Sequence, residues 1–437
     1  MSFFKDTKDD QQPASSNAVN NFFKNIRDRV ADVVTGDKAP VEKSKKAVAD
    51  KPKEKASKDK DGAVSPERKP KKSTADKSDK SPVKKEGRSK DSIADEEAKT
   101  SEGSSSTNTG KKSGDDKVKS FKISQFESLL DNENVDLGEL RKLSWNGVPA
   151  QFRWMVWQLL LGYMPTNKGR RDATMARKRK EYLDSVPTYY NVSEADRTTQ
   201  EGEILRQILV DIPRTSPDTP FFQQPPIQSA MERILYIWSI RHPASAYVQG
   251  MNDLLTPLLL IAMYPHCNDV LRCDVHQIDA KVLSDVEADA YWCLTKLLDD
   301  IQDHYTFSQP GLQRMMVRLE DLIARVDEGL HSHFREEGLQ FLQFGFRWMN
   351  CLLLRELPLA AIMRVWDTYL AEETSGFESF HVYVCAVLLE RFRDKLLTMQ
   401  FQEILMFLQE LPTSEWGEED VEPLLAQAYI FSTQYSE

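Results

Sequence analysis

From Phe121 onward, hydrophobic side chains recur in steps of three and four, the spacing that lines one face of an α-helix. In Pro225–Arg241 the stripe is Ile227, Ala230, Met231, Ile234, Leu235, Ile237 and Trp238, behind two prolines that a helix start tolerates. Similar patterns predict helices over 151–161, 202–210, 249–263, 286–303, 312–326, 339–354, 359–370, 377–392 and 401–411. No β-hairpin or βαβ alternation breaks the series, and no repeat of fixed period is present. So many helices with such short connections predict an all-α domain over residues 121–437.

The chain before Phe121 follows two other patterns. Between Phe23 and Phe121 there is no aromatic residue, and residues 36–120 are mainly Lys, Asp, Ser, Ala and Pro. Such a segment cannot bury enough apolar surface to offset about 1–2 kcal/mol of backbone entropy per residue, so a disordered tether is expected. Residues 1–35 differ again. Val19, Phe22, Phe23, Ile26, Val30, Val33 and Val34 form one apolar helical stripe, and Gly36 supplies a stop. A lone helix of this kind seeks a membrane surface, a protein groove or the body of its own chain. Recruitment to a membrane or to an adaptor is the expected role.

Charge sharpens this division. The 437 residues carry a formal net charge of −10, yet residues 1–120 hold 29 basic and 22 acidic side chains, and the remainder 29 and 46. A tail of +7 thus precedes a body of −17. The tail interleaves acids with its lysines and has no aromatic to stack on bases, so a nucleic-acid partner is not expected. The longest apolar run, 254–265, falls short of the ~18 residues a membrane-spanning helix needs. The N-terminus lacks the apolar core of a signal peptide. Five cysteines, an odd number, do not make a disulfide framework in a chain of this length. An intracellular, cytoplasmic protein is expected.

The usual catalytic signatures are missing. Gly103 and Gly110-Lys111 superficially suggest a phosphate-binding loop, but six residues separate the glycines instead of four, and Lys112 stands where a hydroxyl is needed. His266, Cys267, Cys273 and His276 cluster without the spacing of a structural zinc site. His331 and His333 fall on opposite sides of a helix. No nucleophile elbow is present. No cofactor or metal is expected on this chain.

Two short polar constellations remain. In Ile208-Leu209-Val210-Asp211-Ile212-Pro213-Arg214, the proline disfavours helical geometry at Ile212, which puts Arg214 on a loop with Asp211 three residues back to hold its guanidinium. In Tyr247-Val248-Gln249-Gly250-Met251-Asn252-Asp253, polar and small groups crowd the start of a mostly apolar helix. Taken alone, the first is an ordinary ion pair and the second a helix-cap network. Neither holds a general base or a nucleophile, and an exposed Arg with an exposed Gln indicates an interaction surface.

At these residues the chain resembles the TBC-domain Rab GTPase-activating proteins. Gly147-Val148-Pro149, Arg153, Trp157 and Leu160-Leu161-Gly162 are similar to the family's first block. Ile208-x-x-Asp211-x-x-Arg214 is similar to its arginine-finger block, Tyr247-x-Gln249-Gly250-Met251 to its glutamine-finger block, and Trp366-Asp367 to a later signature. The blocks stand in family order over about residues 140–430. The Lys/Ser-rich N-terminus and the run DIPRTSPDTPFFQ most resemble the Golgi-associated subgroup. The resemblance implies an activator of GTP hydrolysis on a GTP-bound Rab, with nucleotide and Mg²⁺ held by the Rab. Such a protein is not an enzyme in its own right. Arg214 and Gln249 would be the catalytic fingers. Asp211, Tyr247, Gly250, Asn252 and Arg153 would support them. The alternative is a helical scaffold that binds a Rab without accelerating hydrolysis.

Overall fold

A computed structural model describes residues 109–267, 269–373 and 376–436. The stripe of residues 1–35 and the tether as far as residue 108 lie outside the described residues. Among those described, helices carry the whole architecture: α1 (Thr109–Leu130), α2 (Leu137–Trp145), α3 (Ala150–Leu160), α4 (Arg171–Ser185), α5 (Thr199–Asp211), α6 (Pro225–Arg241), α7 (Met251–Met263) and α8 (Ala280–Asp300) form the first half. The second half is α9 (Pro310–Val326), α10 (Glu328–Glu336), α11 (Leu342–Asn350), α12 (Leu359–Ala371), α13 (His381–Arg391), α14 (Arg393–Leu396), α15 (Phe401–Gln409) and α16 (Glu418–Gln434). The all-α expectation is met. α1 runs back to Thr109, so residues 109–120, assigned to the tether by composition, are helical.

Two helices organise the core. All thirteen residues of α7 are buried, and it packs against α8, α6, α3 and α12. Its interior Pro257 has no N–H to give the Asp253 carbonyl, and the Thr256 hydroxyl donates there instead, at 2.8 Å. α12 packs against α2 and α16, and its Trp366 stacks on Trp157 of α3 with ring centroids 5.7 Å apart. Next to Trp366, the fully buried Asp367 accepts from the Val148 amide at 2.8 Å, Trp157 Nε1 at 2.7 Å and Arg153 Nε at 3.1 Å. The Asp367 carboxylate thus helps pin α12 to the α2–α3 corner.

The structure also departs from expectation at Pro213, at the end of α11 and at two of the cysteines. Ile212, placed before Pro213, keeps helical dihedrals (φ −55°, ψ −50°) and continues α5 into one tight turn over Ile212–Arg214. Burial of its side chain outweighs the steric preference that proline imposes on the residue before it. The helix predicted over 339–354 ends at Asn350, because Leu352 and Leu353 adopt positive φ (50° and 61°). Finally, Cys267 and Cys273 are joined in a disulfide with Cα atoms 6.0 Å apart, whereas Cys293, Cys351 and Cys385 are buried thiols.

Candidate functional site

Arg214 comes to the surface at the end of α5. A capping box starts that helix: Glu201 N donates to Thr198 Oγ1 at 3.2 Å, and Thr198 N to Glu201 Oε2 at 2.7 Å. Ile204 and Ile208 bury its inner face. The helix therefore delivers Asp211 to the interior and, one turn on, Arg214 to the outside. The Arg214 side chain is 60% exposed and the Asp211 side chain 8%, and Arg214 Nη2 is paired with Asp211 Oδ1. Below them, the Thr215 hydroxyl donates to the Asp211 carbonyl at 3.0 Å.

Gln249 approaches the same carboxylate from the start of α7. Its side chain is exposed, and Nε2 lies 3.5 Å from Asp211 Oδ1. The buried Tyr247 hydroxyl donates to Asp211 Oδ2 at 2.8 Å and lies 3.1 Å from Asn252 Oδ1. Burial, reinforced by the Asp211 charge, pushes the Tyr247 phenol up, so it stays a donor. Asn252 ties the two segments together: Oδ1 accepts from Gly250 N at 3.1 Å, and Nδ2 donates to Thr215 Oγ1 at 2.9 Å. Gly250 caps the helix with φ 109°, in the left-handed region that favours glycine. A Cβ there would sit 2.3 Å from Asn350 Nδ2.

Six of the seven residues singled out in the sequence, namely Arg214, Gln249, Asp211, Tyr247, Gly250 and Asn252, thus form one connected cluster. Arg153 belongs to another network. It is buried on α3, with Nε on Asp367 and Nη2 on Glu418 at 2.8 Å, a scaffold pairing apart from the two fingers. The structure adds residues that motif reading missed. Asn350 Nδ2 donates to the Gln249 carbonyl at 2.9 Å, and Arg355 Nε meets Asp253 Oδ2 at 2.8 Å. Both come from a segment some hundred residues away, so no local spacing pointed to them. No group of three or more His, Cys, Asp or Glu among the described residues is arranged to hold a metal ion.

The helical body thus displays an arginine and a glutamine on one buried carboxylate. Residues 150–397 match the Rab-GTPase-TBC domain. The chain is 48% identical over 318 residues to human TBC1 domain family member 22B, covering 72% of this chain and 62% of that protein. It is 47% identical over 317 residues to the GTPase-activating protein gyp1 of Schizosaccharomyces pombe, with the same two coverages. The crystal structure of the Ypt/Rab-GAP domain of Gyp1p superimposes with a TM-score of 0.67 at 42% identity, over 72% of this chain and 98% of that one. This chain belongs to the Rab-GTPase-TBC domain family. It spans about three fifths of the length of the curated relatives it matches.

Proposed function

We propose that this protein is a GTPase-activating protein for a Rab-family GTPase, and that it inserts Arg214 and Gln249 into the partner's nucleotide site. One observation carries the reading: two exposed side chains of the right chemistry converge on a single buried carboxylate, Asp211. The partner would bring the nucleotide and its Mg²⁺. This chain would supply what phosphoryl transfer still lacks, namely stabilisation of charge on the leaving oxygens and placement of the attacking water. A guanidinium suits the first task because it is permanently charged and fork-shaped. A carboxamide suits the second, since it accepts from the water through its oxygen and donates to a phosphate oxygen through its nitrogen. Arg214 must leave Asp211 to reach the phosphates, and their greater charge draws it away. The body's negative charge does not oppose this, because the field in a cleft is set by the groups lining it.

The resemblance to the Golgi-associated subgroup supports a role in vesicle trafficking there. The apolar stripe of residues 1–35 would be the address, engaging a membrane or an adaptor. A single-turnover GTP hydrolysis screen across purified Rabs tests the activity. A responsive Rab whose own switch glutamine is replaced by Ala should still be accelerated, because Gln249 does that residue's work. Stimulation of the wild-type Rab but not of this mutant would leave Arg214 as the only finger. Binding without acceleration of any Rab would leave a scaffold.

A further inference from the structure

Gln249 owes little of its aim to its own side chain, which is exposed and meets Asp211 only at 3.5 Å. A carboxamide that has to place a water needs its backbone fixed, since an error of about 1 Å can cost 10²-fold in rate. The backbone here is gripped from behind by the chain that leaves α11. Asn350 Nδ2 holds the Gln249 carbonyl at 2.9 Å, across a sequence separation of 101. Asn350 is only 4% exposed, and its own carbonyl accepts from the Tyr305 hydroxyl at 3.0 Å. Leu352 and Leu353 follow with positive φ although both are fully buried. Non-glycine residues in that region cost on the order of 1–3 kcal/mol each and persist only where their surroundings over-determine them. The strained turn brings Arg355 to Asp253, so the 350–355 segment meets the start of α7 on both sides of Gly250.

We infer that Asn350 is a positioning residue: its amide N–H fixes the Gln249 carbonyl and so sets the direction in which the carboxamide reaches a docked partner. This rests on the activator reading above. The test uses the full chain and a Rab that it accelerates, with rates measured over a range of activator concentrations. Asn350→Leu keeps the branched shape of the side chain and removes the donor. The maximal rate should fall by about 10- to 100-fold, while the half-saturating concentration stays within about twofold. In a Gln249→Ala background the same change should alter the residual rate by less than about twofold, because a group acting through Gln249 has nothing left to position.

Tyr305→Phe keeps the ring and loosens only the Asn350 carbonyl, so a loss of a few-fold with the same pattern is expected even where Asn350→Leu fails to fold. Wild-type rates in both variants would overturn the inference. So would an Asn350→Leu loss that is as large without Gln249 as with it, since that marks a brace of the whole domain. If Gln249→Ala itself keeps the wild-type rate, the glutamine-finger reading falls and takes this one with it. Loss in Gln249→Ala but not in Asn350→Leu overturns the positioning role alone.

Discussion

Asp211 ends α5 and Arg214 closes the tight turn that follows, three residues on, the spacing at which helical neighbours touch. Only the Arg214 end of the pair is exposed, and solvent there weakens what the pairing adds to stability, so a structural purpose alone explains little of why an arginine stands here. An arginine finger, by contrast, is worth about 10³–10⁵ in rate. Arg214→Lys separates the two roles. Lysine keeps the charge but not the planar fork, so single-turnover hydrolysis should fall by about 10²-fold or more with binding to the GTP-loaded Rab nearly unchanged. Combined with Gln249→Ala, the losses should be less than additive if both groups serve one transition state. A lysine variant with the wild-type rate would show that charge alone suffices. The Asp211–Arg214 pairing was legible in the sequence because it is local. The Asn350 contact was not, because an amide that binds a carbonyl across a hundred residues leaves no periodic trace.

At the scale of the element, α7 and α12 do most of the positioning. The Asp367 carboxylate is fully buried and receives two neutral N–H donors and a guanidinium. Asp367→Asn leaves Arg153, itself buried, with only the half-exposed Glu418. Removing one partner of a buried pair costs about 3–5 kcal/mol, so the midpoint of denaturant unfolding should fall accordingly. A shift below about 1 kcal/mol would show that water or Glu418 compensates. Helices with a continuous apolar stripe were read well: Pro225–Arg241 ends where the pattern ends. One helix that the pattern passed over turns polar groups inward. α4 buries Arg171, Met175, Tyr182 and Ser185, and a stripe search does not count arginine or serine as core. The end of α11 was misplaced for a further reason. Apolar Leu352 and Leu353 continue the pattern, and only tertiary packing forces them into the left-handed region.

At the scale of the whole molecule, two buried histidines set an acid limit. Both ring nitrogens of His304 are buried without a partner among the described residues, and burial lowers its pKa to about 4. Burial likewise lowers His381, between Tyr369 Oη at 2.9 Å and the Trp348 carbonyl at 3.1 Å, to about 3. Both folded values lie below the unfolded value of about 6.5, so the unfolded chain takes up these protons first. Their contribution is complete above about pH 6.5 and is lost as pH falls toward the folded values, at up to about 1.4 kcal/mol per pH unit for each. Burial moves the Asp253, Glu356 and Asp367 carboxyls the other way, upward, so their contribution favours folding as pH falls. Urea unfolding followed from pH 7.5 to 5 spans the range in which the unfolded histidines take up their protons. His304→Leu should flatten the slope below pH 6.5, and an unchanged slope would mean that His304 is protonated in the folded state.

The shared carboxylate of Asp211 has a consequence for the protein before any partner arrives. A guanidinium lying against a carboxylate presents a dipole to its surroundings, and a dipole's field dies away faster with distance than that of a lone charge. A small phosphate therefore feels less pull from Arg214 than it would from an uncovered guanidinium. On the activator reading, the charge would be unmasked when a docked partner presses its own phosphates closer to Arg214 than Asp211 lies. On that reading, the paired arginine would favour a docked macromolecule over small anions.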